Sequence, residues 1–288
     1  MSPFQPKFNG VPKDSVVVAG EYPPMTALTQ EEGNPISEAT VPDNAIVATD
    51  VTFAYGSGPA VVKNVGLKVP SGGAIGIVGE SGSGKTTLAG LLIGTLTPTT
   101  GTVTVQGRPW NSVRPRDPMR RAVQMVFQNP YTALNPRFTA LQTVAEVYQV
   151  CGSHNRAEAA DRARDLLKLV GLSGSAVGKR PSGLSGGQCQ RVGIARALAA
   201  NPAVIVADEP TSALDVSVQA QILNLLDDLR KEQGVALVVI SHDLNVVSYL
   251  TKTAIVMERG EVVEQGVTDE LLQAPTHPYT QALIASIL

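Results

Sequence analysis

The sequence predicts an α/β fold, a mostly parallel sheet covered on both faces with a helical subdomain inserted into it. Three observations predict it. Short β-branched apolar runs alternate with helical stretches from about residue 74 onward, the pattern of strand–helix–strand units. One run, Ala74 to Val78, feeds directly into Gly79-Glu80-Ser81-Gly82-Ser83-Gly84-Lys85-Thr86 and then an apolar helix. Strand, glycine-rich loop and helix form the context of a phosphate-binding loop. Finally, apolar positions recur at helical spacing from Phe138 to about Leu172, with Glu146, Arg156, Glu158, Asp161 and Arg164 on the other face.

Taken in order, residues 1–44 hold seven of the chain's twenty prolines and two lysines against six carboxylates. No apolar period survives this density of breakers, so disorder is expected, with one short extended piece at Val16-Val17-Val18. Ala45 to Phe53 and Val61 to Val69 have the β-branched, alternating texture of strands. After the glycine-rich loop, Thr86 to Leu96 is an expected helix, and Thr102 to Gln106 and Val123 to Phe127 are expected strands. The helical subdomain occupies about 129–184. Beyond it come a helix to Ala199, a strand from Ala203 to Ala207, a helix from Ser217 to Lys231 and a strand from Val235 to Ile240. A short helix and strands at Ala254 to Met257 and Glu261 to Val263 follow. The last two helices are expected to start with a Thr268 cap and just after Pro278.

Bulk properties narrow the function classes. The 288 residues support a sizeable core, and 43% hydrophobic with 17% charged residues is ordinary for a globular protein. A net charge of -2 and a pI near 6.0 give no electrostatic reason to expect nucleic acid as a partner. Cys151 and Cys189 form neither a metal pattern nor a disulfide framework, so reduced thiols are expected. His154, His242 and His277 are too scattered for a metal site. No apolar stretch reaches the roughly 20 residues that span a bilayer, and no secretory signal is visible. Work at a membrane would require docking on another chain.

The residues with chemistry fall into three groups. In the loop and its continuation to Thr87, the glycines let backbone N–H groups turn inward around phosphates. Lys85 adds a point charge, Thr86 a hydroxyl placed for Mg²⁺, and the helix start its positive dipole end. The apolar strand Val204 to Ala207 leads into Asp208 and Glu209. A carboxylate at a parallel strand's C-terminal end faces the same crevice as the loop. Asp208 therefore suits the Mg²⁺ shell, and Glu209 suits a group that orients and deprotonates water. The third group is Leu184-Ser185-Gly186-Gly187-Gln188, where Ser185 and Gln188 have the spacing of a helix capping box. The cap does not account for two glycines in the first turn, whereas bare N–H groups at a helix start suit an anion.

Together these motifs, in this order, resemble the ATP-binding cassette (ABC) family over Ala45 to the C-terminus. The resemblance implies a P-loop NTPase core, an N-terminal antiparallel β subdomain, and ATP with Mg²⁺ at the site. It implies that the Ser185–Gln188 segment contacts ATP held by an opposite subunit. It assigns Gln128 to metal, water and the sensing of a transmembrane partner, and His242 to the γ-phosphate and the catalytic glutamate. Asp215, in Ser212-Ala213-Leu214-Asp215, would run along the dimer interface, and Tyr55 would stack on adenine. Cys189 stands where many relatives carry Arg or Lys, which would remove a positive charge near the phosphate. Phe127 to Pro136 and His277 to Leu283 resemble peptide and nickel importers. Expected partners are therefore permease subunits, a second ABC ATPase and an extracytoplasmic solute-binding protein, with the chain on the cytoplasmic face of the membrane. A soluble ABC ATPase of DNA repair or ribosomes is the alternative. A GTPase is disfavoured, since no Asn-Lys-x-Asp motif occurs.

Overall fold

A computed structural model describes residues 42–286 except Pro115 and Ser153; the disorder expected over residues 1–44, with its extended piece at Val16 to Val18, lies outside the described residues as far as residue 41, while Asn44 is already the first residue of a strand. Among the described residues, ten strands form two sheets. Strands β1 (Asn44–Ala54), β2 (Ala60–Pro70), β4 (Thr100–Val105) and β5 (Arg108–Pro109) make an antiparallel sheet in the order β2-β1-β4-β5. Its apolar residues meet across the strands, as in the register Ile46↔Val69 and Ala48↔Leu67.

The second sheet contains β3 (Ala74–Val78), β6 (Val123–Val126), β7 (Val204–Asp208), β8 (Ala236–Ile240), β9 (Thr253–Glu258) and β10 (Glu261–Val267). Its order is β10-β9-β3-β8-β7-β6, parallel throughout except for the β10–β9 hairpin. Every residue of β7 and β8 is buried, which is why these strands read as unbroken apolar runs. Registers Ile77↔Ile240, Asp208↔Ile240 and Val126↔Ala207 bring the carboxyl ends of β3, β8, β7 and β6 to one edge.

Helix α1 (Lys85–Leu92) follows the glycine-rich loop and stops four residues before the expected Leu96. The cause lies outside the helix. The Trp110 indole donates to the Leu92 carbonyl at 2.7 Å, while Gly94 turns left-handed (φ 73) and lets Thr95 and Leu96 bond back to Gly90. Between β6 and β7 lie α2 (Pro130–Ala133), α3 (Ala140–Gly152), α4 (Arg156–Leu169) and α5 (Gly186–Leu198). Helix α4 starts in a capping box of Asn155 and Glu158. Val144, Ala163, Leu166, Leu167 and Val192 join α3, α4 and α5 in one buried cluster that reaches Ile205 of β7.

Helices α6 (Val216–Gln233) and α7 (Leu244–Leu250) follow β7 and β8. The chain closes with α8 (Thr268–Gln273) and α9 (Pro278–Ala285). Thr268 does not cap α8 as expected. It is the first helical residue, 2% exposed, and its hydroxyl lies 3.3 Å from that of Thr251. This buried tertiary partner replaces the local capping bond. At α9, His277 is the cap, accepting from Tyr279 N–H at 3.2 Å, and Pro278 takes the first helical position. Among the described residues, no helix is long and apolar enough to cross a membrane.

Candidate active site

The carboxyl edge of the parallel sheet opens into a cleft of about 630 Å³, the position where α/β sheets bind ligands. The loop after β3 forms its floor. Gly79 has φ 152, and a Cβ there would lie 2.3 Å from the Met257 carbonyl oxygen, so the turn out of β3 tolerates no side chain. Lys85 Nζ donates to the carbonyls of Gly79 and Glu80, both at 2.8 Å. Burial pushes the Lys85 ammonium below its usual range, against the opposing pull of Glu209, Asp208 and Glu80. The Ser83 hydroxyl is buried and has no hydrogen-bond partner among the described residues. A glycine-shaped cradle with an unsatisfied hydroxyl and a lysine at a helix start fits a phosphate chain.

Three further chain segments face this floor. Thr86 Oγ1 donates to Asp208 Oδ2 at 3.2 Å, joining α1 to the end of β7. Burial pushes the Asp208 carboxyl up, and the Thr86 hydrogen bond pulls it back. Glu209, the next residue, leaves the strand in the left-handed region (φ 50), with its N–H fixed on the Ile240 carbonyl at 2.8 Å. Non-glycine residues hold such a conformation only where surroundings impose it, at a cost of about 1–3 kcal/mol. The turn brings Glu209 Oε1 to 2.6 Å from His242 Nδ1 and 3.3 Å from the His242 N–H. Gln128, just past β6, completes the wall. Thr86, Asp208 and the Gln128 amide offer oxygen donors only, a set suited to a small hard cation that keeps water ligands.

The cleft therefore gathers Glu80, Ser81, Gly82, Gly84, Lys85, Thr86, Thr87, Gln128, Asp208, Glu209 and His242, all expected site residues. Tyr55 stands at its margin, 57% exposed, with its hydroxyl 3.5 Å from Thr87 Oγ1 and its ring edge-on to Phe53. Ser185, Gly186, Gly187, Gln188 and Asp215 do not line it. Ser185 and Gln188 make the expected capping box at α5. Asp215 caps α6, accepting from Val218 N–H at 3.1 Å and from Ser217 Oγ at 2.7 Å. The Ser217 hydrogen bond, with that of Val218, holds the Asp215 carboxyl below its usual range.

Two readings of this region change. Cys189 is fully buried with Sγ 3.6 Å from the Pro181 carbonyl, so its side chain belongs to the core rather than to a phosphate surface. Burial also pushes its thiol up. Gly187 has a packing reason beside any anion-binding one, because a Cβ there would lie 2.3 Å from Val218 Cγ1. Gly187→Ala is expected to destabilise the fold, and Val218→Ala in the same chain to relieve it, with a coupling of about 1–2 kcal/mol in a double-mutant unfolding cycle. Additive effects would show that Gly187 is not a packing residue.

A model of the ABC transporter family matches residues 62–212, just over half of the chain. The chain belongs to the ABC transporter family. A second model, for the C-terminal region of oligopeptide/dipeptide transporters, matches residues 263–288. This ABC family chain is 49% identical over 227 residues to a probable peptide ABC transporter ATP-binding protein, y4tS, of Sinorhizobium fredii; the match covers 78% of the chain and 64% of the relative. It is 42% identical over 229 residues to the oligopeptide transport ATP-binding protein OppF of Escherichia coli, covering 78% and 69%. The chain thus spans about two thirds of the length of these relatives. The dimeric post-hydrolysis ATP-binding cassette MJ0796, bound to ADP and Pi, superposes with a TM-score of 0.70 at 35% identity, covering 77% of this chain and 98% of that one.

The sequence reading of the ABC site missed its C-terminal wall. Leu283 and Ser286 line the cleft, and Tyr279 touches the loop itself. His277 to Leu283 had marked a resemblance, but nothing in the local sequence says where a helix 199 residues from Glu80 will dock.

Proposed function

We propose that this chain is the ATP-hydrolysing subunit of a membrane importer for peptides, acting from the cytoplasmic face through separate permease subunits. The observation that carries the reading is the split of the motifs. The phosphate loop, Asp208, Glu209, His242 and Gln128 share one cleft, while Ser185 to Gln188 and Asp215 stand outside it. One chain therefore holds half of each site, and two cassettes facing each other would complete two. The dimeric state of MJ0796 supports this arrangement. The oligopeptide/dipeptide match at 263–288 favours a peptide importer over a DNA-repair or ribosomal ATPase. A solute-binding protein outside the membrane would deliver the cargo.

In this reading Lys85 and the loop amides hold the β- and γ-phosphates of ATP. Thr86, Asp208 and Gln128 would hold Mg²⁺, which supplies charge neutralisation on the phosphates. Glu209 aligns an attacking water and takes its proton. His242 fixes Glu209 by the 2.6 Å contact and the backbone bond beside it. The capped start of α5 from the opposite cassette offers N–H groups to the γ-phosphate. Closure on ATP and reopening after hydrolysis would be passed to the permeases near Gln128, where Phe127 and Tyr131 are 43% and 48% exposed.

The arrangement is tested by the order of the reaction. A dilute lone chain should bind ATP and hydrolyse it poorly. Turnover per chain should then rise with chain concentration, or on addition of a second ATPase if the pair is mixed. Turnover independent of both would overturn the shared site.

A further inference from the structure

We infer that Tyr279 is a positioning residue for the phosphate loop, and that α9 is a working wall of the nucleotide site. The inference rests on the reading of the cleft as that site.

The Tyr279 hydroxyl accepts a hydrogen bond from the Glu80 N–H at 2.9 Å, while the Glu80 carbonyl accepts from Lys85 Nζ at 2.8 Å. Lys85 thus braces the carbonyls of both peptide groups flanking Glu80, and the C-terminal helix holds the N–H of the first of them from the other side. Burial pushes the Tyr279 phenol up, so it remains a neutral hydroxyl that can accept from an amide. Further along, Leu283 of the same helix and Ser286, its C-cap, line the cleft with Glu80 and Lys85.

Helix α9 is itself firmly placed. Glu264 of β10 accepts from the Thr276 N–H and hydroxyl at 2.8 and 2.7 Å, and from the His277 N–H at 3.2 Å. Burial opposes ionisation of Glu264, but hydrogen bonds from the 276–280 segment outweigh it and hold the carboxyl at about 2. Leu283 and Ile284 pack with Val247, Val256 and Val78, the last strand residue before Gly79. One chain of contacts therefore runs from β10 through the α9 start to the first peptide of the loop. A loop of glycines binds phosphate best when its amides are already aimed, and Tyr279 removes one of its freedoms before nucleotide arrives.

The test titrates ADP calorimetrically into the full chain and melts the nucleotide-free protein. Tyr279→Phe keeps the ring and its packing and removes only the acceptor. It is expected to weaken ADP binding about 2- to 10-fold, the weight of one hydrogen bond, with an unchanged melting temperature and a kcat at saturating ATP within about twofold. Glu264→Gln, which loosens the anchor at a distance from the loop, should weaken ADP binding in the same direction. Wild-type or tighter ADP binding by Tyr279→Phe would overturn the inference. So would a loss of affinity that appears only together with a lower melting temperature. Failure of the wild-type chain to bind ADP would instead overturn the nucleotide site, and this inference with it.

Discussion

Glu209→Gln is expected to keep ATP binding and to lower turnover by a factor on the order of 10²–10⁴, the weight of a general base. The substitution is nearly isosteric, so the strained turn at φ 50 and the N–H bond to Ile240 are undisturbed. Its side-chain oxygen can still accept from the His242 backbone, which holds Glu209 Oε1 at 3.3 Å in the native chain. What it cannot do is take a proton from water. Because the phosphate loop and its lysine are untouched, nucleotide affinity should stay at the native level. ATP-bridged dimers should then accumulate, because the step that dissolves them is slowed. Single-turnover hydrolysis and size-exclusion chromatography with ATP measure both effects. Near-native turnover would remove Glu209 from the role, and lost ATP binding would show that the carboxylate shapes the loop instead.

The fold class and the gathering of the cleft were legible because they depend on local signals. Strand β3, the glycine-rich loop and α1 are consecutive in sequence, and β7 and β8 announce themselves as short buried runs. Residues at the ends of such strands lie at the sheet's carboxyl edge, which placed Asp208 and Glu209 beside the loop without knowledge of the strand order, while Gln128 and His242 were pointed to by the family resemblance; all four line the cleft. What was illegible depends on partners distant in sequence. Trp110 ends α1 by taking the Leu92 carbonyl, and Thr251 draws Thr268 out of its capping role. Val218 gives Gly187 a reason to be glycine that the α5 sequence does not contain. Tyr279 is the extreme case, a phenol whose partner lies 199 residues earlier. Each of these is a tertiary contact overriding or supplementing a local preference, and none carries a periodic signal.

Lys85→Ala is expected to weaken ATP binding by about 10- to 100-fold, the range for a hydrogen-bonded charge on a phosphate. In the nucleotide-free chain the ammonium spans the loop, bonded to the Gly79 and Glu80 carbonyls. Its burial lowers its affinity for a proton, and the carboxylates of Glu209, Asp208 and Glu80 offset that cost. Removing it has two consequences that can be separated. The loop loses a cross-brace, and Asp208 and Glu209 lose the cation between them and the phosphates. The second should raise the repulsion felt by the bound phosphates, so the loss should be larger for ATP than for ADP, and larger for ADP than for AMP. Equilibrium titration of the three nucleotides distinguishes this from a simple collapse of the loop, which would weaken them by similar factors. Unchanged ATP affinity together with unchanged turnover would count against the phosphate-loop reading altogether. A loss confined to kcat would move Lys85 from binding the ground state to stabilising the transition state alone.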